Sequence, residues 1–240
     1  MPDPVQVRSM FGRIARRYDL LNRVLSAGID QRWRRRTVVK ARELLGPLEE
    51  ATVLDSCCGT GDLSLAFAET GARVVGVDFT PEMLLYAGPK GEQSGDRVLF
   101  SRGDALTLPL AEGRADLSTV AFGIRNVADR LQGLREMKRV VRNDGWVLVL
   151  EFTQPPGPIF SRLYRFYFTR LLPLIGKLVS KDDAAYRYLP DTVLSWPAPG
   201  AFQSELEQVG LTDCGFEYLT WGIACLHWGR VARSTAEAPA

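Results

Sequence analysis

Two acids and two glycines in the first third of the chain are residue types that commonly bind ligands together. Asp55 precedes Gly59 and Gly61 by a few residues, and Asp78 follows a separate apolar run. An acid at the end of the second strand of a doubly wound sheet can accept hydrogen bonds from both hydroxyls of a ribose. A carboxylate among glycines suits an ammonium group better than a pyrophosphate. The pattern therefore indicates a ligand that carries both a ribose and an ammonium group.

A strand, a tight turn and a helix are needed to bring these residues to one edge of a sheet. An apolar run ends at Leu54, the glycines allow a turn that a ligand can approach closely, and a helical pattern follows at 63–69. The same alternation continues along the chain, which predicts an α/β fold with a doubly wound, mainly parallel sheet. The predicted strands are 53–54, 73–77, 98–101, 115–122, 146–150, 212–219 and 222–229, the last two as an antiparallel pair.

Helices are predicted in front of this sheet and between its strands. Apolar residues recur at three- and four-residue steps through 5–46, with a break at 27–30. Gly46 and Pro47 end this helical region. The later predicted elements are a helix that starts at Pro81, a loop at 88–95, a helix at 129–142, a turn at 143–145 and a helix at 202–209.

The length of 240 residues suits one domain with an appendage. We therefore expect three units along the chain. They are residues 1–46 as an N-terminal helical lid, residues 47–233 as the α/β domain, and residues 234–240 as a disordered tail.

Charge is distributed unevenly along a chain whose net charge is only +2. Residues 1–46 contain eleven Arg or Lys but four Asp or Glu, so the remainder is net acidic. A basic end on a near-neutral protein suggests an anionic surface or substrate. Residues 1–8 lack the apolar core of a signal peptide, and no run of 18 uncharged apolar residues exists, so we expect neither secretion nor a membrane span.

The four cysteines and the single histidine do not suggest a metal site. Cys57 and Cys58 are adjacent, which is not the spacing of a metal-binding pair, and a disulfide framework is not expected without a secretory signal. We expect Cys57, Cys58, Cys214 and Cys225 to be reduced and mostly buried.

Residues 158–181 differ in character from the rest of the chain. They are rich in aromatic side chains, and they contain five basic residues and no acidic residue. Such a segment fits a helix that lies against lipid head groups or lines an apolar pocket. A helix that only packs on the sheet core is the alternative, and the residues alone do not decide between them.

Three other interpretations of the glycine turn remain to be weighed. An NAD-dependent oxidoreductase should have a third glycine where this chain has Ser64. A non-catalytic lipid- or RNA-binding module could use the basic N-terminal region, but it would not require Asp55 and Asp78 at their positions. A strand, loop and helix without any ligand is the third alternative.

Several segments resemble one family, the quinone-biosynthesis C-methyltransferases. The most specific is Phe-Gly-Ile-Arg-Asn-Val at 122–127, which follows the fourth predicted strand. The resemblance implies a class I methyltransferase fold, which is Rossmann-like with seven strands, and S-adenosyl-L-methionine as the methyl donor with no metal. Further matching segments lie at 11–22, 26–33, 186–189, 195–197 and 224–227.

The resemblance also implies the reaction, which is C-methylation of a polyprenylated quinol ring. Demethylmenaquinol in menaquinone biosynthesis is the expected substrate. The alternative is 2-polyprenyl-6-methoxy-1,4-benzoquinol in ubiquinone biosynthesis, or both quinols. A soluble phenol as substrate would leave the apolar, basic segment at 158–181 unexplained.

By position, the resemblance implies a set of cofactor contacts in which two positions depart from the family pattern. Many relatives have Asn where this chain has Asp104, and Ser or Gly is common where Ala121 stands. Cys57 and Cys58 also replace smaller residues. The implied contacts are Asp55, Gly59, Thr60, Gly61, Asp78, Phe79, Asp104, Ala105 and Ala121.

Carbon methylation requires electron density that an adjacent quinol hydroxyl pushes into the ring, and such a hydroxyl titrates near the tyrosine value of about 10. The site must therefore stabilise an oxyanion or remove a proton. Arg125 is expected to stabilise the oxyanion, with Asn126 beside it and Tyr18 on the lid as a further candidate. A structural ion pair is the alternative for Arg125, and packing is the favoured interpretation of His227.

The expected partners follow from the same reasoning. They are the polyprenylated quinol and the inner face of the cytoplasmic membrane, which a cytoplasmic protein would contact peripherally through 158–181. Nucleic acid is not expected as a partner. The residues do not decide whether the protein forms a homodimer.

Overall fold

The computed structural model describes residues 3–26, 28–157, 161, 162, 164, 166, 170 and 183–232. The disordered tail predicted at 234–240 lies outside these residues. So does most of the segment at 158–181, of which five residues are described.

Seven strands form one sheet in the order β3-β2-β1-β4-β5-β7-β6. All neighbouring strands are parallel except β7, which runs antiparallel to both β5 and β6. The predicted doubly wound, mainly parallel sheet is therefore confirmed. The strands are β1 (Thr52–Ser56), β2 (Arg73–Asp78), β3 (Val98–Arg102), β4 (Ala115–Ala121), β5 (Val141–Phe152), β6 (Leu211–Leu219) and β7 (Ala224–Val231).

Helices precede the sheet and connect its strands, as predicted. The first helix starts at Pro4, where Asp3 accepts the backbone N–H of Val5 and so caps it. The α-helices are α1 (Pro4–Ile14), α2 (Tyr18–Ser26), α3 (Ile29–Leu45), α4 (Asp62–Ala68), α5 (Pro81–Glu92), α6 (Arg130–Val140), α7 (Asp183–Leu194) and α8 (Pro199–Gln208). Short 3-10 turns lie at Ala15–Arg17, Ile124–Asn126 and Thr220–Gly222.

The loop predicted at 88–95 is wrong for its first half, because α5 continues to Glu92. Gly88, Pro89 and Gly91 disfavour a helix locally, but packing of α5 on β3 outweighs this tendency. The turn predicted at 143–145 is also wrong as a separate element. These residues belong to β5, which begins at Val141 and contains an irregularity opposite Ala115–Leu117.

Two apolar clusters lie against the two faces of the sheet. One joins β4 and β5 to α6 and α8 through residues such as Leu134, Met137 and Phe202. The other joins β1, β4 and β5 to α3 and α4 through residues such as Trp33 and Phe67. Both faces of the central strands are therefore buried, which leaves the carboxyl ends of these strands as the place for a ligand.

Three glycines from three different elements contact the ring of Phe100 on β3. A Cβ atom at Gly61, Gly76 or Gly91 would lie 2.5, 2.6 or 2.9 Å from ring atoms of Phe100. Real Cβ atoms essentially never approach so closely, so this ring fills the space that three side chains would otherwise occupy.

Candidate functional site

A cleft follows the carboxyl ends of β1, β2 and β4, where the order of the strands in the sheet reverses. Its volume is about 840 Å³, including the part that is open to solvent. Most of the predicted site residues line this cleft, but four do not. The residues in the lining are Tyr18, Gly59, Asp78, Phe79, Asp104, Ala105, Ala121 and Asn126, and those outside it are Asp55, Thr60, Gly61 and Arg125.

Asp78 ends β2 and is held by the glycine turn. Its Oδ2 accepts the backbone N–H of Gly59, and its Oδ1 accepts the backbone N–H of Thr80, each at 2.8 Å. Each carboxylate oxygen keeps a lone pair that can accept a ligand hydroxyl. The side chain is 8% exposed, and burial raises its pKa while the two backbone bonds oppose this rise. Asp78 is therefore a fixed acceptor of the kind that a ribose needs.

The glycine turn has a backbone that few other sequences could adopt. Gly59 and Gly61 both have positive φ angles, of 57° and 85°. Among the described residues, only the ring of Tyr18 would lie within 4 Å of a Cβ at Gly59, at 3.8 Å, so the turn leaves its cleft side open. Cys57 also has a positive φ of 53°. A Cβ atom at position 123 would overlap the Cβ of Cys57, which explains the glycine at 123.

Asp55 lies within β1 and is buried instead of lining the cleft. The hydroxyl of Ser64 on α4 donates to its Oδ2 at 2.6 Å. Burial raises the pKa of Asp55 to about 7, although the Ser64 bond and the charge of Arg34 act in the opposite direction. Any effect of Asp55 on a ligand ammonium group would therefore be exerted through its charge, from beneath the turn.

The loop after β3 forms the opposite wall of the cleft. Asp104 Oδ1 accepts the backbone N–H of Leu106 at 2.9 Å, and this bond tightens the loop. Asp104 and the buried Ala105 both line the cleft. Phe79 is partly exposed, with the guanidinium of Arg8 on α1 over its ring at 5.8 Å.

The N-terminal helices contribute cleft residues that the sequence did not identify. Pro4, Val7 and Phe11 of α1 are in the lining. The ring of Phe11 meets the ring of Tyr18 edge to face, with 6.0 Å between centroids. The helical period of the apolar residues indicates that α1 covers an apolar surface, but it does not identify that surface as the cleft.

A network of polar side chains fastens α2 to the glycine turn. Asp19 accepts the hydroxyl of Thr60 at 2.5 Å through Oδ1 and the ammonium of Lys90 at 2.7 Å through Oδ2. Lys90 Nζ also donates to Asp62 at 2.7 Å. The hydroxyl of Thr60 therefore donates its hydrogen bond within the protein. Asp19 was not among the predicted site residues.

The Phe-Gly-Ile-Arg-Asn segment after β4 forms a 3-10 turn at the far end of the cleft. Phe122 has a φ of 58°, which is unusual for a bulky residue and often marks a functional site. Its ring packs on Phe152 with 4.5 Å between centroids and lies 5.8 Å from Trp33. Its carbonyl accepts Nη1 of Arg125 at 2.5 Å.

Arg125 forms a buried ion pair with Glu151, which ends the apolar run of β5. Arg125 Nη1 lies 2.7 Å from Glu151 Oε1, and the two side chains are 7% and 0% exposed. Burial raises the pKa of Glu151, whereas the charge of Arg125 lowers it. The ion pair that was the alternative for Arg125 is present, but it does not exclude a role toward a ligand. Sequence reasoning missed Glu151, although it follows an apolar strand as Asp78 does.

Asn126 lines the cleft and is bound from α7. Its Oδ1 accepts the hydroxyl of Tyr188 at 3.0 Å. Burial raises the pKa of Tyr188, while the positive charge of Arg125 lowers it and the negative charge of Glu151 raises it further. Tyr188 was not predicted as a site residue, because nothing local in the sequence connects it with position 126.

His227 and the cysteines lie apart from this chemistry. His227 is buried on β7 between the rings of Phe202 and Phe216, and burial lowers its pKa to about 4. This environment agrees with packing. All four cysteines are free; Cys225 is buried, and Cys57, Cys58 and Cys214 are partly buried. Within the described ranges, no three His, Cys, Asp or Glu side chains are grouped to hold a metal ion, and the expected absence of a metal stays a prediction.

The cleft fits a nucleoside better than a dinucleotide. The open glycine turn lies beside the fixed acceptor Asp78, and partly apolar walls formed by Phe79, Ala105 and Leu106 follow it. Such walls accept a flat base, and Asp78 accepts hydroxyls. The third glycine of a dinucleotide turn is replaced by Ser64, which is bonded to Asp55.

Comparison with known proteins gives consistent similarities over nearly the whole chain. A family model described as the ubiE/COQ5 methyltransferase family matches residues 3–231. A demethylmenaquinone methyltransferase of Thermus thermophilus is 47% identical over 224 residues, which cover 92% of this chain and 99% of that protein. The ubiquinone/menaquinone biosynthesis C-methyltransferase UbiE of Citrifermentans bemidjiense is 44% identical over 229 residues, covering 93% and 95%. A solved SAM-dependent methyltransferase from Aquifex aeolicus shares the fold, with a TM-score of 0.61 at 18% identity, covering 97% of this chain and 100% of that one.

Proposed function

The chain belongs to the ubiE/COQ5 methyltransferase family, and we propose that it methylates a ring carbon of a polyprenylated quinol with S-adenosylmethionine. The observation that carries the proposal is that Asp78 and Asn126 line one cleft. Asp78 is a fixed acceptor for a nucleoside, and Asn126 belongs to the family's Phe-Gly-Ile-Arg-Asn segment, so one cleft contains both. Membership of this family, which extends over residues 3–231, excludes two alternative functions: an NAD-dependent oxidoreductase and a non-catalytic binding module.

Demethylmenaquinol is the proposed substrate, with menaquinol as the product. The name of the Thermus thermophilus relative, which is 47% identical, supports this choice. The name of the Citrifermentans bemidjiense relative includes ubiquinone as well, so the polyprenyl methoxybenzoquinol is the alternative substrate.

The cofactor would be held by the glycine turn and the two walls of the cleft. Asp78 would accept the ribose hydroxyls, Phe79 and Ala105 would contact the base, and Asp104 would accept from its amino edge. Gly59 and Gly61 would form the floor, with Thr60 and Asp55 beneath it and Ala121 beside it. When bound, the cofactor supplies a methyl group on a positively charged sulfur.

The quinol ring would lie at the end of the cleft where Asn126 and Phe122 are found. Arg125 places a positive charge behind this wall, which would stabilise negative charge on a quinol oxygen. Asn126 would orient the ring, and Tyr18 would close the cleft from α2. The burial that excludes water from Arg125 strengthens its electrostatic effect.

The prenyl tail requires an apolar path out of the site. Among the described residues of the segment at 158–181, Phe166 is 54% exposed and Arg162 is also exposed. An exposed aromatic ring and an exposed cation on one segment suit a lipid head-group region, which supports peripheral contact with the cytoplasmic membrane. No helix in the described ranges is long and apolar enough to cross a bilayer. Protein that fails to sediment with anionic vesicles would contradict this contact.

Three organisational proposals complete this function. Residues 1–46 would act as a lid over a methyltransferase domain at 47–233. A homodimer stays a prediction, which sedimentation velocity would test. Nucleic acid is not a proposed partner, so titration with RNA should leave the protein unbound.

The direct test is methyl transfer from labelled S-adenosylmethionine to demethylmenaquinol and to the polyprenyl methoxybenzoquinol, each extracted in detergent. Label in the naphthoquinol alone would assign menaquinone biosynthesis, and label in both would assign a shared enzyme. Label in neither, with the cofactor bound, would overturn the proposed substrate. Arg125→Gln should abolish turnover while cofactor binding persists, and undiminished turnover would exclude the role of Arg125.

A further inference from the structure

Two buried polar atoms of the Arg125–Glu151 pair have no hydrogen-bond partner among the residues that the structure describes. They are Nε of Arg125, which is a donor, and Oε2 of Glu151, which is an acceptor. The other oxygen, Glu151 Oε1, accepts from Arg125 Nη1 at 2.7 Å and from the backbone N–H of Phe152 at 2.9 Å. A buried donor and a buried acceptor side by side form a place for a group that can satisfy both, because leaving either without a hydrogen bond is unfavourable.

The chemistry of these two atoms points to a hydroxyl group. A hydroxyl can donate to a carboxylate oxygen and accept from a guanidinium N–H at the same time. A carbonyl could satisfy only the donor, and an ammonium group only the acceptor. The substrate of the proposed reaction carries hydroxyls on the ring that must be activated.

The position of the pair agrees with this chemistry. Glu151 follows Leu150, which is the partner of Ala121 across β4 and β5, and Ala121 lines the cleft. Arg125 is bonded to the carbonyl of Phe122, and the next residue, Asn126, also lines the cleft. The pair therefore adjoins the part of the cleft where the quinol ring is proposed to bind. Neither side chain is in the lining, so contact of a quinol hydroxyl with Oε2 requires this wall to move when the ring binds.

We propose that Glu151 is the general base of the reaction and that its Oε2 accepts the proton of the quinol hydroxyl while Arg125 stabilises the oxygen left behind. This assignment depends on the proposed function. Glu151 is then a catalytic residue. The charge that acts on it is that of Arg125 on the 3-10 turn, and Tyr188 on α7 is a nearby titratable group whose pKa is raised by the charge of Glu151.

The proposed step balances in atoms and electrons. The hydroxyl proton passes to Glu151, and the ring carbon forms a bond to the methyl carbon as that carbon leaves sulfur, which keeps the electron pair. The ring carbon then loses its own proton to solvent and the ring becomes aromatic again. The oxygen takes back the proton from Glu151, so one proton is released in total.

Glu151→Gln is the test variant, because it keeps the size of the side chain and removes its basicity. In wild-type protein, kcat should rise with pH through the pKa of Glu151. The variant should lose that rise and at least about 100-fold in kcat, the usual contribution of a general base. KM should change by less than about threefold, since binding of substrate does not need the proton transfer.

Glu205→Gln is a matched control, because Glu205 also forms an ion pair with an arginine, at 2.6 Å, but its partner Arg130 belongs to α6 and not to the 3-10 turn beside the cleft. It should keep the wild-type rate and pH profile. Cofactor affinity, measured by calorimetry, should be unchanged in both variants. A Glu151→Gln variant with the wild-type kcat and pH profile, even with a lower melting temperature, would overturn the assignment.

A second variant covers the case in which Glu151→Gln does not fold. Glu151→Asp keeps the charge but shortens the side chain, so the pH-dependent rise should persist while kcat falls at least about tenfold. A wild-type kcat in this variant would overturn the assignment of Glu151 alone. Wild-type protein that binds the cofactor but methylates neither quinol would overturn the proposed function itself, and the assignment with it.

Discussion

Thr60 Oγ1 donates a 2.5 Å hydrogen bond to Asp19 Oδ1, so the glycine turn after β1 is tied to helix α2. Thr60 is buried, and Asp19 shares its second oxygen with Lys90. Any movement that opens the cleft on this side must break these bonds. The affinity for the cofactor should therefore depend on residues that do not touch it.

Asp19→Ala tests this dependence. The change leaves the buried Thr60 hydroxyl and the Lys90 ammonium without their shared acceptor, and a hydrogen bond to a charged group contributes about 1.5–3 kcal/mol. We expect calorimetry to give about tenfold weaker binding of S-adenosylmethionine. Asp213→Ala, which removes an exposed acid at the far sheet edge, should leave this affinity unchanged. Equal affinities for the Asp19 variant and the wild type would show that α2 is not held by this network.

Asp78→Asn should weaken cofactor binding far more than Asp104→Asn. Both oxygens of Asp78 accept backbone N–H groups, and an amide nitrogen in place of one oxygen would face a donor. Asp104 Oδ1 accepts the N–H of Leu106, and the amide oxygen of Asn has two lone pairs, so it could accept this N–H and the amino group of the base together. We expect a loss of about 100-fold at position 78 and less than about threefold at position 104, both by calorimetry. Comparable losses in the two variants would mean that Asp78 has no special role toward the ribose.

Gly61→Ala should destabilise the fold, whereas Gly88→Ala should not. Gly61 has a φ of 85°, and a Cβ there would lie 2.5 Å from Phe100. Strain and overpacking together should cost about 2–4 kcal/mol in urea unfolding. Gly88 lies in α5, and a Cβ there would have no heavy atom of the described residues within 4 Å, so alanine should stabilise by about 0.5–1 kcal/mol. Loss of stability at position 88 would contradict the helical assignment of this part of the chain.

The stability of the ligand-free protein should fall as the pH rises toward neutrality because of Asp55. Burial raises its pKa to about 7, whereas an unfolded aspartate titrates near 4. Between these values the folded state binds the extra proton, so the free energy of unfolding decreases with pH and levels off above about 7.

Asp55→Asn should remove this part of the pH dependence. The amide oxygen can still accept the Ser64 hydroxyl, so the packing should be preserved. The measurement is urea unfolding of both proteins between about pH 5 and pH 8, and the difference between them should reach a few kcal/mol at most. Parallel curves for the variant and the wild type would show that Asp55 is ionised in the folded protein throughout.

The sequence was sufficient where the signal is local. The strand-end position of Asp78 and the two glycines is visible in a window of a few residues, and parallel strands necessarily bring their carboxyl ends together. The same logic fails for α5, because Pro89 and Gly91 disfavour a helix in isolation. Gly91 packs against Phe100, and this tertiary contact favours the helix although the local helix propensity does not.

The polar end of the cleft could be predicted only in part. Arg125 and Asn126 lie in a specific segment, but the partners that determine their chemistry are distant in sequence. Glu151 follows Arg125 by 26 residues and Tyr188 follows Asn126 by 62. Their contacts arise from the pairing of β4 with β5 and from the position of α7, which no local pattern encodes.

The crowding of three glycines around Phe100 has a consequence for the evolution of the family. Because one ring occupies the space of three side chains, positions 76 and 91 cannot gain a side chain unless residue 100 becomes smaller. Substitutions at these positions and at 100 should therefore occur together in related sequences. A single ring on β3 would then determine which residues the cofactor turn, β2 and α5 can accept over evolutionary time.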